Sequence, residues 1–222
     1  MILEVLDPAA AEAFYDRFGS KQDAQGFYEK PALDELVTHA RFDEAAAVFE
    51  FGCGTGTLAE RLLRESLPAT AQYQGCDISS TMVGLARDRL EPYRERAGVF
   101  QSDGSISIPL ASNHADRILS TYVLDLMPKP EIRSFLSEAL RVLAADGKLC
   151  LAGLTEGVSP LSRMTALFWR AVHSVRPSLV GGCRPLRLDR FLAPPDWHIE
   201  HHTVVVAWGI PSEVLIARPV KP

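Results

Sequence analysis

Positive charge is in short supply in this chain, cysteine is scarcer, and no stretch stays apolar for long. Lys and Arg number 23 against 28 Asp and Glu, a formal net charge of −5. The clustered cationic surface that phosphate backbones require is therefore missing, and no nucleic-acid partner is expected. The four cysteines, Cys53, Cys76, Cys150 and Cys183, stand far apart and form no CxxC pair. Free thiols rather than disulfides are expected, and no metal site. Residues 1–30 carry Glu4, Asp7, Glu12, Asp16 and Asp23 where a secretory leader would have a basic stretch and then an apolar one. The apolar runs fall well short of the roughly 20 residues a membrane helix needs. A cytoplasmic location without a transmembrane segment is the expectation. A Gly-Lys-Ser/Thr string is also lacking, which excludes a P-loop nucleotide site.

What remains is ordinary core-forming sequence. Hydrophobic residues make up 47% of the 222 positions and charged ones 23%, which excludes global disorder. A chain of this length buries roughly 70% of its unfolded surface, enough for one core. No internal repeat or low-complexity tract interrupts it.

The pattern begins helical. Asp7-Pro8 is a cap and first-turn pair, with Phe14, Tyr15 and Phe18 following at helical spacing. A second helix is predicted over 31–39, with Leu33, Leu36 and Val37 on one face. Alternation follows: strands over 45–51, 71–77, 97–103, 115–121 and 148–154, and helices over 57–66, from Ser79 or Ser80 to Leu90, and over 130–143. Asp146-Gly147 reads as the turn before the fifth strand. Strands and helices in this order make βαβ units and a parallel sheet. Two last strands, 198–209 and 212–218, are joined at Ile210-Pro211 by a link so short that they must pair antiparallel. The predicted fold is therefore α/β: a doubly wound, Rossmann-like, seven-stranded and mostly parallel sheet ending in an antiparallel hairpin. One domain covers 1–222, with a helical lid at 1–44, a core at 45–154, a helical insertion at 155–196 and the hairpin at 197–222.

The most informative string is VFEFGCGTG, residues 48–56, between a strand and a helix. Gly52, Gly54 and Gly56 alternate, so the chain can turn tightly and a ligand can approach the backbone. The free N–H groups of the following helix favour an anionic or polar ligand group. A dinucleotide fingerprint would place its third glycine where Thr57 stands. Glu50 would repel a pyrophosphate and attract an ammonium. Asp77 closes the second strand and Asp103 the third. Three carboxylates at one edge of a parallel sheet suit a ligand with a cationic end, a ribose diol and an exocyclic amine. Read singly, Asp77 and Asp103 are equally well helix-cap or turn acids.

Together these strings resemble a class I S-adenosylmethionine-dependent methyltransferase, of the small-molecule group that includes quinone-biosynthesis and phospholipid N-methylating enzymes. Residues 45–154 carry the resemblance, with GCDISSTMVGLAR (75–87), FQSDGSISIPL (100–110) and LRVLAADGKLCLAG (140–153) beside the glycine string. It implies S-adenosyl-L-methionine as cofactor. It also implies that Gly52, Gly54 and Gly56 line the methionine portion, with Glu50 behind the loop or at the amino group. Asp77 would then hold the ribose, Ile78 and Met82 would lie against adenine, and Asp103 and Gly104 would meet the adenine edge. Ser120, Thr121 and Tyr122 would stand near the sulfonium. The string FYDRFGSKQDAQGFYE (14–29) resembles the lid such enzymes place over the cofactor, with Tyr15 and Tyr28 as aromatic candidates. The string AADGK lacks the usual Pro-Gly pair of its turn. STYVLDLMP shows no signature of nucleobase or amide methylation.

The expected reaction is methyl transfer to a small-molecule acceptor whose methylated atom, O, N or C, stays open. An oxidoreductase using NAD(P) and a non-catalytic cofactor-binding module are the alternatives. No nucleophile–base constellation is readable. Tyr122, His173, His201 and His202 are the candidate bases, and His201 and His202 must face opposite sides of their strand. Residues 155–222 carry 8 basic and 5 acidic side chains, while 1–154 carry 15 and 23. Arg163, Arg170, Arg176, Arg184, Arg187 and Arg190 share the insertion with LSRMTALFWRAV (161–172), which is apolar at Leu161, Met164, Phe168 and Val172. The insertion is either a solvated basic cap or the receiver of an anionic or lipid-like acceptor.

Overall fold

Apolar alternation and helical stripes resolve into one sheet with helices on both faces. The computed structural model describes residues 8–19, 26–175 and 182–221. Its helices are α1 (Pro8–Phe18), α2 (Gly26–Ala40), α3 (Thr57–Glu65), α4 (Ser80–Leu90), α5 (Lys129–Val142) and α6 (Pro160–Val175). Its strands are β1 (Ala47–Phe51), β2 (Gln72–Asp77), β3 (Ala97–Gln101), β4 (Ala115–Thr121), β5 (Leu143–Leu154), β6 (Trp197–Ala207) and β7 (Ile210–Pro219). The order across the sheet is β3-β2-β1-β4-β5-β7-β6. The first five strands are parallel, and β7 runs antiparallel to both β5 and β6. The order reverses between β1 and β4, so the ligand crevice of such a sheet lies at the carboxyl ends of these two strands.

One core layer packs α2, α3 and the inner side of α6 on the sheet through Leu36, Leu62 and Val214, with Trp169 against it. The other packs α5 through Ile132, Phe135 and Leu136 against Ile118, Leu149 and Leu215. The seven-stranded architecture is as the sequence predicts, with four local corrections. First, α2 begins at Gly26 and carries Pro31 inside it. Tyr28, buried and packed edge-on to Tyr122 and Trp169, holds the preceding turn in place. The buried line of this helix is Tyr28, Ala32, Leu36 and Ala40, whereas Leu33 and Val37 are half-buried. Second, Asp146-Gly147 forms no free turn. Pairing steps from Ala115–Leu143 to Arg117–Lys148, so β5 bulges and absorbs these residues. Third, β3 stops at Gln101, which leaves Asp103 in the loop beyond it. Fourth, the hairpin turns at Trp208 and Gly209, with φ of 54° and 81°, and Ile210-Pro211 begins β7. Positive φ at both central residues is what a two-residue hairpin turn demands, and Pro211 cannot supply it.

Leu161, Met164 and Phe168 are 65, 66 and 71% exposed, so the apolar stripe of α6 faces outward. Ser162, Ala166 and His173 are buried, and Trp169 donates its indole N–H to the Cys183 carbonyl at 3.0 Å. Small side chains let this side approach β7, which decides the orientation against the larger apolar residues.

Candidate functional site

β1 ends in the glycine loop, whose three glycines have left-handed φ: 78° at Gly52, 52° at Gly54 and 77° at Gly56. A Cβ on Gly52 would lie 2.3 Å from Val123 Cγ2, and one on Gly56 would lie 3.1 Å from the Ala86 backbone of α4. Only glycine fits either place. The Cys76 carbonyl accepts the N–H groups of both Gly52 (2.8 Å) and Cys53 (2.9 Å), tying the loop to the end of β2. The Asp77 carboxylate accepts the Gly54 N–H and the Ser79 N–H, each at 2.9 Å. With the Ile78 N–H as a third donor, the two oxygens keep one lone pair for a hydroxyl donor. Burial raises the Asp77 pKa, opposed by the N–H groups of Ser79, Gly54 and Ile78.

Glu50 lies beneath the loop and is buried, with the Tyr73 hydroxyl donating to it at 2.6 Å. Burial lifts its carboxyl to about 7, and the Tyr73 bond works against that rise. Ile78 and Asp103 line an open depression of about 480 Å³ at the ends of β2 and β3, together with Ala9, Glu12, Gln101 and Ser102. The Ser105 hydroxyl, and after it the Ser105 N–H at 2.9 Å, hydrogen-bond the Asp103 carboxylate and hold it below the usual range. Gly104 beside it has φ 84°. Met82 is wholly buried on the inner side of α4, and its N–H is capped by Ser79 Oγ at 3.1 Å. The Ser120 hydroxyl donates to the Phe51 carbonyl at 3.1 Å and is thereby spent on joining β4 to β1.

Tyr122 follows β4 with φ 56° and donates its hydroxyl to Ser212 Oγ at 2.8 Å. Burial pushes its pKa up, which disfavours it as a base at neutral pH. His173 is buried on α6, 3.0 Å from the Gly182 carbonyl, and burial lowers its pKa. His201 and His202 do face opposite sides. His201 stacks on His39 at 3.8 Å and approaches Glu35 at 2.9 Å, while His202 lies 2.7 Å from buried Glu213. Each histidine thus joins a group able to hold a metal ion, Glu35–His39–His201 or Asp189–His202–Glu213, which chain spacing did not reveal. Among the arginines of the insertion, Arg170 pairs with Glu156 at 3.2 Å and Arg187 with Asp189 at 2.6 Å. Arg163 donates to the Gly157 carbonyl at 3.2 Å, Arg184 is buried, and Arg176 lies outside the described residues.

Two functional candidates, Asp16 and Asp125, escaped the sequence reading. Asp16 of α1 accepts the Ser79 hydroxyl at 2.6 Å and the Thr81 N–H at 3.1 Å, docking α1 on the start of α4. Asp125 is buried directly after β4, and Arg184 lies against the same short turn, its N–H donating to the Asp125 carbonyl at 3.3 Å. A lone acid inside the apolar run VLDLM was the available signal for Asp125. Tyr15 stands between the two halves of the edge. Burial raises its pKa, the charges of Cys183, Asp125 and Asp77 add to that, and it hydrogen-bonds Cys183.

Residues 48–147 match the family described as a methyltransferase domain. Over this stretch, a little under half of its length, the chain is similar to a methyltransferase domain. It is 27% identical over 216 residues to the highly reducing polyketide synthase resH of Aspergillus sclerotiorum, covering 87% of this chain and 7% of that protein. It is 29% identical over 173 residues to the malonyl-[acyl-carrier protein] O-methyltransferase of Geobacter sulfurreducens, covering 77% of this chain and 62% of that one. Its fold is that of magnesium protoporphyrin IX methyltransferase from Synechocystis, solved with bound S-adenosylhomocysteine. That match has a TM-score of 0.64 and 20% identity over 86% of this chain and 83% of that one. No described helix is long and apolar enough to cross a membrane.

Proposed function

We propose that this protein transfers a methyl group from S-adenosylmethionine to a small-molecule acceptor. The observation that carries this reading is the alignment of three features at adjacent strand ends: the left-handed glycine loop, Asp77 bound to its Gly54 N–H, and the Ile78–Asp103 depression. A bare-backbone cradle, a carboxylate with a lone pair to spare and a half-apolar shelf fit the methionine, ribose and adenine parts in that order. Gly52, Gly54, Asp77, Ile78 and Asp103 would hold the cofactor, Glu50 and Tyr73 would support the loop from beneath, and Tyr15 would cover it.

When bound, S-adenosylmethionine supplies a methyl carbon on a sulfonium, and sulfur keeps the electron pair of the bond that breaks. The chain's part is to orient the acceptor in line with that bond and to exclude water. α1, held on α4 by Asp16, closes the site. The malonyl-[acyl-carrier protein] relative supports a carboxyl- or carbonyl-bearing acceptor. The exposed apolar stripe of α6, with exposed Arg163 on the same helix, supports an acceptor with anionic or lipid-like character. Four buried free cysteines fit work in the reducing cytoplasm.

Thermal shift with S-adenosylhomocysteine and with NAD tests the reading. Stabilisation by S-adenosylhomocysteine alone is expected. Stabilisation by NAD alone would return the sheet to the oxidoreductase class.

A further inference from the structure

Among the described residues, few buried side-chain polar atoms lack a hydrogen-bond partner, and three of them gather on one side of the carboxyl edge: Asp125 Oδ1, Arg184 Nη1 and His173 Nδ1. Native proteins seldom leave such groups unmatched without a use for them. Asp125 is 1% and Arg184 6% exposed. Each is anchored by its other atoms. Asp125 Oδ2 accepts the N–H of Leu154, the last residue of β5, at 3.1 Å, and Arg184 Nη2 donates to the Met127 carbonyl. The two charges act on each other, and the Arg184 charge also acts on His173. A carboxylate oxygen and a guanidinium N–H are thus both fixed in position and both unused, at the edge where this fold places its ligands.

We propose that Asp125 and Arg184 bind the methyl acceptor, and that they fit a small molecule with an acidic O–H or C–H beside a carbonyl or carboxylate oxygen. This rests on the methyl-transfer reading above. Asp125 Oδ1 receives the acidic proton, and Arg184 Nη1 donates to the neighbouring oxygen and steadies the charge that develops there. The acceptor atom, freed of its proton, gives its electron pair to the methyl carbon, while sulfur retains the pair of the broken bond. The acceptor so exchanges one proton for one methyl group, and Asp125 returns the proton to water. Burial lifts the Asp125 carboxyl to about 6, opposed by the Leu154 N–H, by its own backbone N–H and then by Arg184, so it is charged at neutral pH yet basic enough to take a proton. The other titratable groups facing it are Tyr15 of α1, Tyr28 of α2, Tyr122 after β4, and Cys183. All of these have pKa values raised by burial and stay neutral there.

The test is calorimetry on the full chain saturated with S-adenosylhomocysteine, with salicylate and 2,4-pentanedione as probes. The wild type is expected to bind at least one of them at neutral pH and to lose it as pH falls through about 6. Asp125→Asn, which keeps an acceptor for Leu154, and Arg184→Lys, which keeps a donor for Met127, should each weaken the probe by about tenfold or more. Neither should change S-adenosylhomocysteine affinity or lower the melting temperature. The proposal is overturned if the wild type binds neither probe, if both variants bind like the wild type, or if binding ignores pH. A wild type that fails to bind S-adenosylhomocysteine would instead sink the methyl-transfer reading itself.

Discussion

Asp16 Oδ1 lies 2.6 Å from the hydroxyl of Ser79, the residue that caps α4 and sits two positions beyond Asp77. One carboxylate therefore connects α1 to the strand end that would grip the ribose. Its bonds to Ser79 and Thr81 hold the Asp16 carboxyl below its ordinary range.

Asp16→Ala should detach α1 and weaken S-adenosylhomocysteine binding by up to about tenfold, since a hydrogen bond to a charged group is worth about 1.5–3 kcal/mol before solvent screening. The depressed pKa gives a sign. The contribution of Asp16 is present above the unfolded carboxyl pKa and fades as pH falls through its lower folded value. Titration calorimetry from neutral to acid pH checks both. Equal affinity in the variant would mean that the lid closes without Asp16.

Asp77→Ala should cost more, because it removes the partner of the Gly54 N–H as well as a ribose ligand. A loss of about ten- to a hundredfold in S-adenosylhomocysteine affinity is expected, with a folded circular-dichroism spectrum. Unchanged affinity would place the cofactor elsewhere on the edge.

Gly52→Ala introduces two separable faults: a Cβ 2.3 Å from Val123 and an alanine at φ 78°. Together they should lower stability by about 2–4 kcal/mol. Adding Val123→Ala should relieve the clash and leave the backbone term of about 1–2 kcal/mol. Denaturant melts of the single and double variants decide. A double variant no better than the single would show that strain alone matters.

Glu50 predicts a pH effect of the opposite sign to Asp16. Its carboxyl ionises at about 7 when folded and near 4.5 otherwise, so the native state binds the extra proton between those values. Stability from this group falls as pH rises through that window and levels off above it. Glu50→Gln keeps an acceptor for Tyr73 and should flatten the dependence. Melting temperatures across the window measure it, and an unchanged slope would assign the effect to another group.

The outward stripe of α6 separates two costs on one helix. Phe168, 71% exposed, should lose no more than about 0.5 kcal/mol on truncation to alanine, far below a core phenylalanine. Trp169→Ala, which removes packing and the bond to Cys183, should destabilise by about 3 kcal/mol or more. Comparable losses in the two would mean that the stripe is covered in solution.

What could be read from the sequence were the features written in local chemistry. The β1–loop–α3 string shows itself because strand alternation, three glycines and a helical stripe follow one another within twenty residues. The orientation of α6 was not legible, because periodicity reports that a helix has an apolar face, not which face meets the sheet. Here small Ser162 and Ala166 won over Leu161 and Phe168. Asp125 and Arg184 were illegible as a pair because the approach of residues 59 positions apart is decided by strand order rather than by spacing.

The position of β7 bears on how the chain is made. This strand, residues 210–219, is inserted between β5 and β6 and bonded to both, and almost every one of its side chains is buried. Until the ribosome has delivered it, β5 presents an open apolar edge, and β6, synthesised earlier, has no neighbour to join. An emerging chain thus carries its most aggregation-prone surface for the time needed to add the sixty-odd residues after β5, several seconds at roughly 5–20 residues per second. Shielding by a chaperone during that interval should govern soluble yield more than any property of the finished fold.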